Sequence, residues 1–194
     1  LTFTGSTEVG VRLYGEAAKT LKRVSLELGG GAPVLVFADA DVAQMARAVA
    51  LGATYNTGQD CTAATRVYIH RSIFDDAIAA LRTELKGIVI GDPHDPATHI
   101  GPLISAAHRE KVAGFVQRAV DAGAQALEGG SPMEGPGFYF PPTLVVGAGQ
   151  SSELVQGEIF GPVLVALTFD TEDDAVALAN DSAYGLASSV WTAD

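Results

Sequence analysis

The chain has 194 residues, of which 47% are hydrophobic and 18% are charged, and its formal net charge is −11. This composition supports a buried core and excludes a disordered chain, and the negative charge argues against nucleic acid and anionic membranes as partners because both would repel it. No apolar run approaches the roughly 20 residues needed to span a bilayer. The single cysteine excludes an internal disulfide and fits a reducing, cytoplasmic environment.

The N-terminal segment predicts a strand that runs through a turn into a helix. Residues 1–5 have no basic stretch of the kind that opens a signal peptide. Ser6 and Thr7 can cap a helix, and Glu8 suits its first turn. Exposed amides at such a helix start can bind an anion such as a pyrophosphate. On the bare pattern alone, an ordinary capped turn is the better explanation.

The next segment predicts two strands separated by glycines. Residues 23–28 alternate apolar and polar side chains, which is typical of a strand with one apolar face. On this pattern alone, Glu27 is a solvated carboxylate on the other face. Residues 33–37 form a continuous apolar run, which indicates a strand buried on both faces.

A helix then leads into a turn that holds the only cysteine. Asp39 and Asp41 can cap this helix, whose apolar face comprises Val42, Met45, Ala46, Val49 and Ala53. A cysteine kept for packing usually lies in an apolar run, whereas Cys61 has the polar neighbours Asp60 and Thr62. We therefore interpret Cys61 as a candidate nucleophile that needs a base elsewhere in the chain.

Helical and extended segments alternate along the rest of the chain. Strands are predicted at 66–70, 124–128, 141–146, 163–169 and 187–192, and helices from the cap Ser72 to Leu85, over a stretch ending at Gly123, and at 171–180. Residues 129–142 are rich in glycine and proline and form the longest irregular piece. The alternation predicts an α/β fold with a largely parallel sheet.

The four histidines do not predict a metal site. His70, His94, His99 and His108 are scattered, and no carboxylates accompany them at the spacing of metal ligands. We interpret them as surface or hydrogen-bonded residues.

Five short motifs together resemble the NAD(P)-dependent aldehyde dehydrogenase superfamily. In chain order they are Phe3-Thr-Gly-Ser-Thr-Glu-Val-Gly10, Glu27-Leu-Gly-Gly, Gly58-Gln-x-Cys61, Glu158-Ile-Phe-Gly-Pro-Val and Tyr184-Gly-Leu-Ala. The resemblance implies a three-layer αβα catalytic domain with a largely parallel sheet, Cys61 as the nucleophile and Glu27 as the general base. It also implies NAD as the cofactor, with contacts at Gly5, Ser6, Leu28, Glu158 and Phe160.

Within the superfamily, residues 58–64 and 187–192 look most like the bacterial γ-aminobutyraldehyde (1-pyrroline) dehydrogenases. Asp60 and Thr62 become candidate substrate contacts, because a carboxylate beside the nucleophile would attract the cationic tail of an ω-aminoaldehyde such as 4-aminobutyraldehyde. The same carboxylate also favours the protonated thiol. Betaine aldehyde or another small aldehyde is the alternative substrate. One departure is Gly31, which stands where the family usually has a lysine.

The resemblance also implies a division of the chain. Residues 1–25 correspond to the C-terminal end of the NAD-binding domain and residues 26–194 to the catalytic domain, with most of the NAD-binding domain and the C-terminal oligomerisation arm absent. We expect the segment alone to be inactive and the full-length protein to be a cytoplasmic homo-oligomer, a dimer or a tetramer. The alternative function is an inactive structural or partner-binding module that retains only the catalytic domain.

Overall fold

The protein, described here by a computed structural model of residues 1–194, has eight strands and six helices. The strands are β1 (Thr2–Thr4), β2 (Ser25–Glu27), β3 (Pro33–Val36), β4 (Arg66–His70), β5 (Gln125–Glu128), β6 (Thr143–Val146), β7 (Val163–Phe169) and β8 (Ser189–Trp191). The helices are α1 (Thr7–Ala18), α2 (Val42–Thr54), α3 (Phe74–Lys86), α4 (Ala106–Asp121), α5 (Glu153–Gln156) and α6 (Glu172–Asn180).

Six strands form the main sheet in the order β5-β6-β7-β4-β3-β8. All neighbours are parallel except β5 and β6, which are antiparallel. Helices α2 and α3 pack on one face through the first core cluster, which includes Val36, Ile69, Met45 and Leu81. Helices α4, α5 and α6 cover the opposite face. The predicted three-layer αβα fold with a largely parallel sheet is confirmed.

The buried strands are those with continuous apolar runs. In β4 and β7 nearly every residue is buried, as expected for parallel strands that are covered on both faces. The predicted bounds 66–70 and 163–169 are those of the structure. By contrast, the strand predicted at 23–28 is hydrogen-bonded only over Ser25–Glu27.

One predicted helix cap is wrong. A 3₁₀ turn at Arg71–Ile73 comes before α3, and the N-cap residue Ile73 makes no side-chain hydrogen bond. Ser72 does not cap the helix, because it lies inside the 3₁₀ turn, where its amide donates to His70 Nδ1 at 3.2 Å. The side chain of His70 thus caps the 3₁₀ turn, and no side chain caps α3 itself.

Strands β1 and β2 form a separate two-stranded parallel sheet, joined by α1. Ser6 is the N-cap of α1, as predicted, and its side chain accepts from the Val9 amide at 3.4 Å. Only Gly10 and Ala17 of α1 are buried. A Cβ at Gly10 would lie 2.4 Å from Leu28 Cδ2, so the helix lies directly against the chain that leaves β2. None of the six helices is both long and apolar enough to cross a membrane.

Candidate active site

A cleft of about 520 Å³ lies between the β1–β2 pair and the turn that carries the cysteine. Its walls comprise Thr4, Gly5, Ser6, Glu27, Leu28, Gly29, Gln59, Asp60, Cys61, Lys111, Glu158 and Phe160. All the site residues predicted from the sequence line this cleft except Thr62. Segments that are far apart in the chain therefore converge on one place.

The cysteine turn begins with three consecutive residues in the left-handed backbone region. Asn56, Thr57 and Gly58 have φ of 50°, 60° and 68°, a conformation that costs about 1–3 kcal/mol for each non-glycine residue. Side chains hold it in place, since Thr57 Oγ1 donates to the Gly101 carbonyl at 3.1 Å and Gln59 Oε1 accepts from the Ile104 amide at 2.9 Å. This rigid, strained turn fixes the position of the cysteine that follows it.

Cys61 is half-buried, and its carbonyl oxygen packs against Gly30. The neighbouring carboxylate is directed to the backbone of its own turn, because Asp60 Oδ1 accepts from both the amide and the hydroxyl of Thr62 at 2.7 Å. Thr62 therefore contacts Asp60 and does not reach the cleft. The second oxygen of Asp60 makes no hydrogen bond within the chain.

Glu27 lies at the cleft on the side of the two-stranded sheet. It is the last residue of β2, its side chain is exposed, and its carboxylate makes no hydrogen bond within the chain. The Glu27 carbonyl accepts from the Gly5 amide at 3.0 Å, which brings the end of β1 beside it. A carboxylate in this situation is available to bind water.

Glu158 fastens the glycine turn that follows Glu27. Its Oε1 accepts from the Gly30 amide at 3.0 Å. A Cβ at Gly29 would lie 2.6 Å from Glu158 Oε2, and one at Gly30 would lie 1.9 Å from the Cys61 carbonyl oxygen. Only glycine permits such close approach from both sides. The turn thereby links Glu27, Cys61 and Glu158.

Phe160 is another non-glycine residue with a left-handed backbone, at φ of 58°. Its carbonyl oxygen lies 2.6 Å from His108 Nε2, which must donate because a carbonyl can only accept. The two rings are 6.0 Å apart in an edge-to-face arrangement. His108 was interpreted as a surface or hydrogen-bonded residue, and the structure shows the second.

Lys111 is the only cation among the residues that line the cleft, and it was not predicted from the sequence. It lies one helical turn beyond His108 on α4. No motif marks either residue. The spacing of three residues at the start of a helix is the only signal in the sequence, and it is shared by many surface helices.

Gly31 and the Tyr184 motif lie outside the cleft. The Gly31 carbonyl accepts from the buried Arg66 guanidinium at 2.7 Å. A Cβ at Gly31 would lie 3.3 Å from the Tyr184 ring. The departure from the usual lysine therefore lies beside the cleft, at a residue that is not part of its lining.

Comparison with known proteins identifies the family of the chain. Residues 1–194 match the model of the Aldehyde dehydrogenase family over their whole length, and the chain belongs to that family. It is similar to the lactaldehyde dehydrogenase of Escherichia coli (strain K12), with 42% identity over 99% of this chain and 40% of the relative. It is also similar to the betaine aldehyde dehydrogenase of Rhizobium johnstonii, with 40% identity over 100% of this chain and 40% of the relative.

A solved structure shares the fold. The NAD-dependent aldehyde dehydrogenase from Sinorhizobium meliloti superposes with a TM-score of 0.97 at 43% identity, over 100% of this chain and 38% of that protein. The chain thus spans about 40% of the length of the relatives it matches.

Proposed function

We propose that the chain carries the reacting residues of an NAD-dependent aldehyde dehydrogenase, which oxidises an aldehyde to the carboxylic acid. One observation carries this proposal: half-buried Cys61 and the unpartnered carboxylate of Glu27 line one cleft, although Cys61 lies in the turn between α2 and β4 and Glu27 ends β2 of the small sheet. A nucleophile and a separately held base are the groups that acyl transfer requires. Membership of the family supports the same conclusion.

The residues of the cleft fit a nicotinamide dinucleotide. Gly5 and Ser6 precede the start of α1, where the first amides have no acceptor within the helix and the helix dipole favours a diphosphate. Glu158 Oε1 accepts from the Gly30 amide, and Glu158 Oε2 is therefore available to accept from a ribose hydroxyl. Leu28 and the Phe160 ring supply apolar walls for the nicotinamide side. When bound, NAD⁺ supplies the hydride acceptor for the oxidation.

Cys61 performs the covalent steps. Its thiolate adds to the carbonyl carbon of the aldehyde, and the carbonyl oxygen becomes an anion. The backbone N–H of Cys61 makes no hydrogen bond within the chain, so it is available to stabilise that oxygen. Loss of hydride from the same carbon leaves the acyl group on the sulfur as a thioester.

Glu27 completes the reaction as the general base. Its carboxylate takes a proton from a water molecule, which attacks the thioester carbon and releases the acid and the thiolate. Because Glu27 is exposed and makes no hydrogen bond within the chain, its oxygens can accept from that water. In this mechanism Cys61 forms and breaks the carbon–sulfur bond, and Glu27 transfers the proton.

For the substrate we propose an ω-aminoaldehyde such as 4-aminobutyraldehyde, with betaine aldehyde as the alternative. Both carry a positive charge, and Asp60 presents a carboxylate at the cleft beside Cys61. The relatives named above act on lactaldehyde and betaine aldehyde, one uncharged and one cationic. Asp60 is one of three carboxylates in the cleft lining and the one next to Cys61 in the chain, so it favours a cation there.

The same proposal covers the wider organisation of the protein. Residues 1–25 would belong to the NAD-binding domain and residues 26–194 to the catalytic domain, and β2 crosses this boundary while pairing with β1. We further propose that the protein is cytoplasmic, since a free thiol nucleophile requires a reducing compartment. We also propose that it is a homo-oligomer, a dimer or a tetramer. Light scattering on the full natural polypeptide measures the oligomeric state.

The decisive experiment replaces Cys61 in the full natural polypeptide. Cys61→Ala is expected to abolish NADH production from every aldehyde tested while NAD binding, measured by calorimetry, is retained. Activity of the unaltered protein also separates the dehydrogenase from an inactive module. A Cys61→Ala protein with normal turnover would refute the assignment.

A further inference from the structure

We propose that His108 is a positioning residue that sets the place of Phe160 in the cleft and thereby the affinity for NAD. This inference rests on the proposed function. His108 does not itself line the cleft, so it acts through the residue that it holds.

The contact between the two residues is double. His108 Nε2 donates to the Phe160 carbonyl at 2.6 Å, and the rings meet edge to face with centroids 6.0 Å apart. His108 is itself fixed at the start of α4, because its amide donates to Oγ of the N-cap residue Ser105 at 3.1 Å. The histidine therefore presents a rigid donor to a backbone that lies in the left-handed region.

The turn that contains Phe160 is confined on two further sides. A Cβ at Gly161 would lie 2.7 Å from Val112 Cγ2 on α4. On the other side, a Cβ at Gly58 would lie 2.2 Å from the Gly161 carbonyl carbon. The turn is thus wedged between α4 and the cysteine turn. Of these contacts, only the one from His108 fixes the direction of the Phe160 carbonyl.

Without the donor, the Phe160 carbonyl would lose its partner and the strained φ would be free to relax. Relaxation rotates the peptide next to the ring, so the ring would leave the nicotinamide side of the cleft. The effect falls on cofactor binding, because Cys61 and Glu27 are held by contacts that do not involve His108. A general loss of stability would instead lower activity at any substrate or cofactor concentration.

The test is a double-mutant cycle in the full natural polypeptide. His108→Ala is expected to raise both the KM and the calorimetric Kd for NAD by roughly three- to tenfold, the size expected for one lost hydrogen bond, with kcat changed much less. In a Phe160→Ala background, the same substitution is expected to change neither value further. His108→Gln, whose amide can donate to the same carbonyl, is expected to restore most of the affinity.

His94→Ala is the matched control, because His94 is exposed in a loop and bonds only to Asp92. An unchanged NAD affinity in His108→Ala, or an equal loss with and without the Phe160 ring, overturns the inference. If His108→Ala does not fold, His108→Asn against His108→Gln supplies the comparison, since the shorter amide cannot reach the carbonyl. Absence of any aldehyde turnover in the unaltered protein would contradict the proposed function, whereas the Kd measurements would still decide the role of His108.

Discussion

At the scale of single residues, Gly30 joins the two walls of the cleft. Its amide donates to Glu158, and the position of its missing side chain is occupied by the Cys61 carbonyl oxygen. The residue therefore ties Cys61 to the turn that follows Glu27. Because an added side chain would meet backbone atoms of Cys61, this neighbour cannot easily move away.

Gly30→Ala is expected to lower both stability and turnover. The added Cβ would lie 1.9 Å from the Cys61 oxygen, and overpacking of this kind costs about 1–3 kcal/mol. Denaturant unfolding and steady-state kinetics measure the two effects. Gly15→Ala is the control, because Gly15 is an exposed helical residue with nothing within 4 Å of the new Cβ. That substitution is expected to stabilise the protein by about 0.5–1 kcal/mol. An active, fully stable Gly30→Ala protein would contradict the packing argument.

Replacement of Glu27 by glutamine is expected to separate the two halves of the reaction. In the proposed mechanism, acylation of Cys61 precedes the step that needs the base, so Glu27→Gln should give a rapid burst of NADH followed by slow turnover. Stopped-flow absorbance at the NADH band records both phases. Normal steady-state turnover would show that another group activates the water.

Asp60→Asn is expected to weaken the preference for cationic aldehydes. The amide oxygen of asparagine can still accept from Thr62, so the turn is kept and only the charge is removed. A partly screened charge pair is worth about 1 kcal/mol after desolvation, or roughly fivefold in specificity. The measurement is the ratio of kcat/KM for 4-aminobutyraldehyde to that for butyraldehyde. An unchanged ratio would mean that Asp60 does not sense the charge of the substrate.

The sequence was most informative where residue type and chemistry coincide. The lone thiol with polar neighbours and the Glu-Leu-Gly-Gly turn predicted two residues that do lie at one cleft. Thr62 was placed there by adjacency alone, and its hydrogen bonds to Asp60 turn it away. The positions of His108 beside the cleft and of Lys111 in its wall were not predicted, because they depend on where α4 packs, which no local pattern records.

At the scale of secondary structure, Glu128 joins α3 to the edge strand β5. Its Oε1 accepts from Arg82 Nε at 2.7 Å and from Lys86 Nζ at 3.2 Å, and its side chain is only 16% exposed. Partial burial works to raise the pKa of this carboxyl, but the hydrogen bonds from the two cations outweigh it, and the pKa of Glu128 lies below the usual 4.5.

This carboxylate is expected to make stability depend on pH. A group whose pKa is lower in the folded state stabilises that state above its unfolded pKa and ceases to do so as the pH falls through its folded pKa. Glu128→Gln should therefore lower the free energy of unfolding at pH 7 by about 1 kcal/mol. The difference from the unaltered protein should vanish in the acidic range below 4.5. A difference that persists there would assign the effect to packing.

The elements were predictable in proportion to their burial. Strands β4 and β7 are continuous apolar runs covered on both faces, and their bounds were correct. Strands β1, β2 and β8 have three residues each, and their exposed residues give a weak pattern. The antiparallel pairing of β5 with β6 depends on the long irregular connection between them, whose path the sequence does not specify.

At the scale of the whole molecule, the two sheets differ in how firmly they are packed. In the small sheet and α1, most side chains are exposed, whereas β7 is buried along most of its length. Regions with few buried apolar contacts open at lower free energy. The amides of β1 and α1 are therefore expected to exchange with deuterium faster than those of β4 and β7. Equal protection of both regions would show that they unfold as one unit.

The position of Cys61 has a practical consequence for labelling chemistry. These 194 residues contain one sulfhydryl, and it is half-exposed at the wall of the cleft. A maleimide or iodoacetamide reagent can therefore attach at a single point in this region without any engineered site. A label placed there would occupy the space beside Glu27, Glu158 and Phe160, so it is expected to block the proposed reaction, and the fraction of chains labelled should equal the fraction of activity lost.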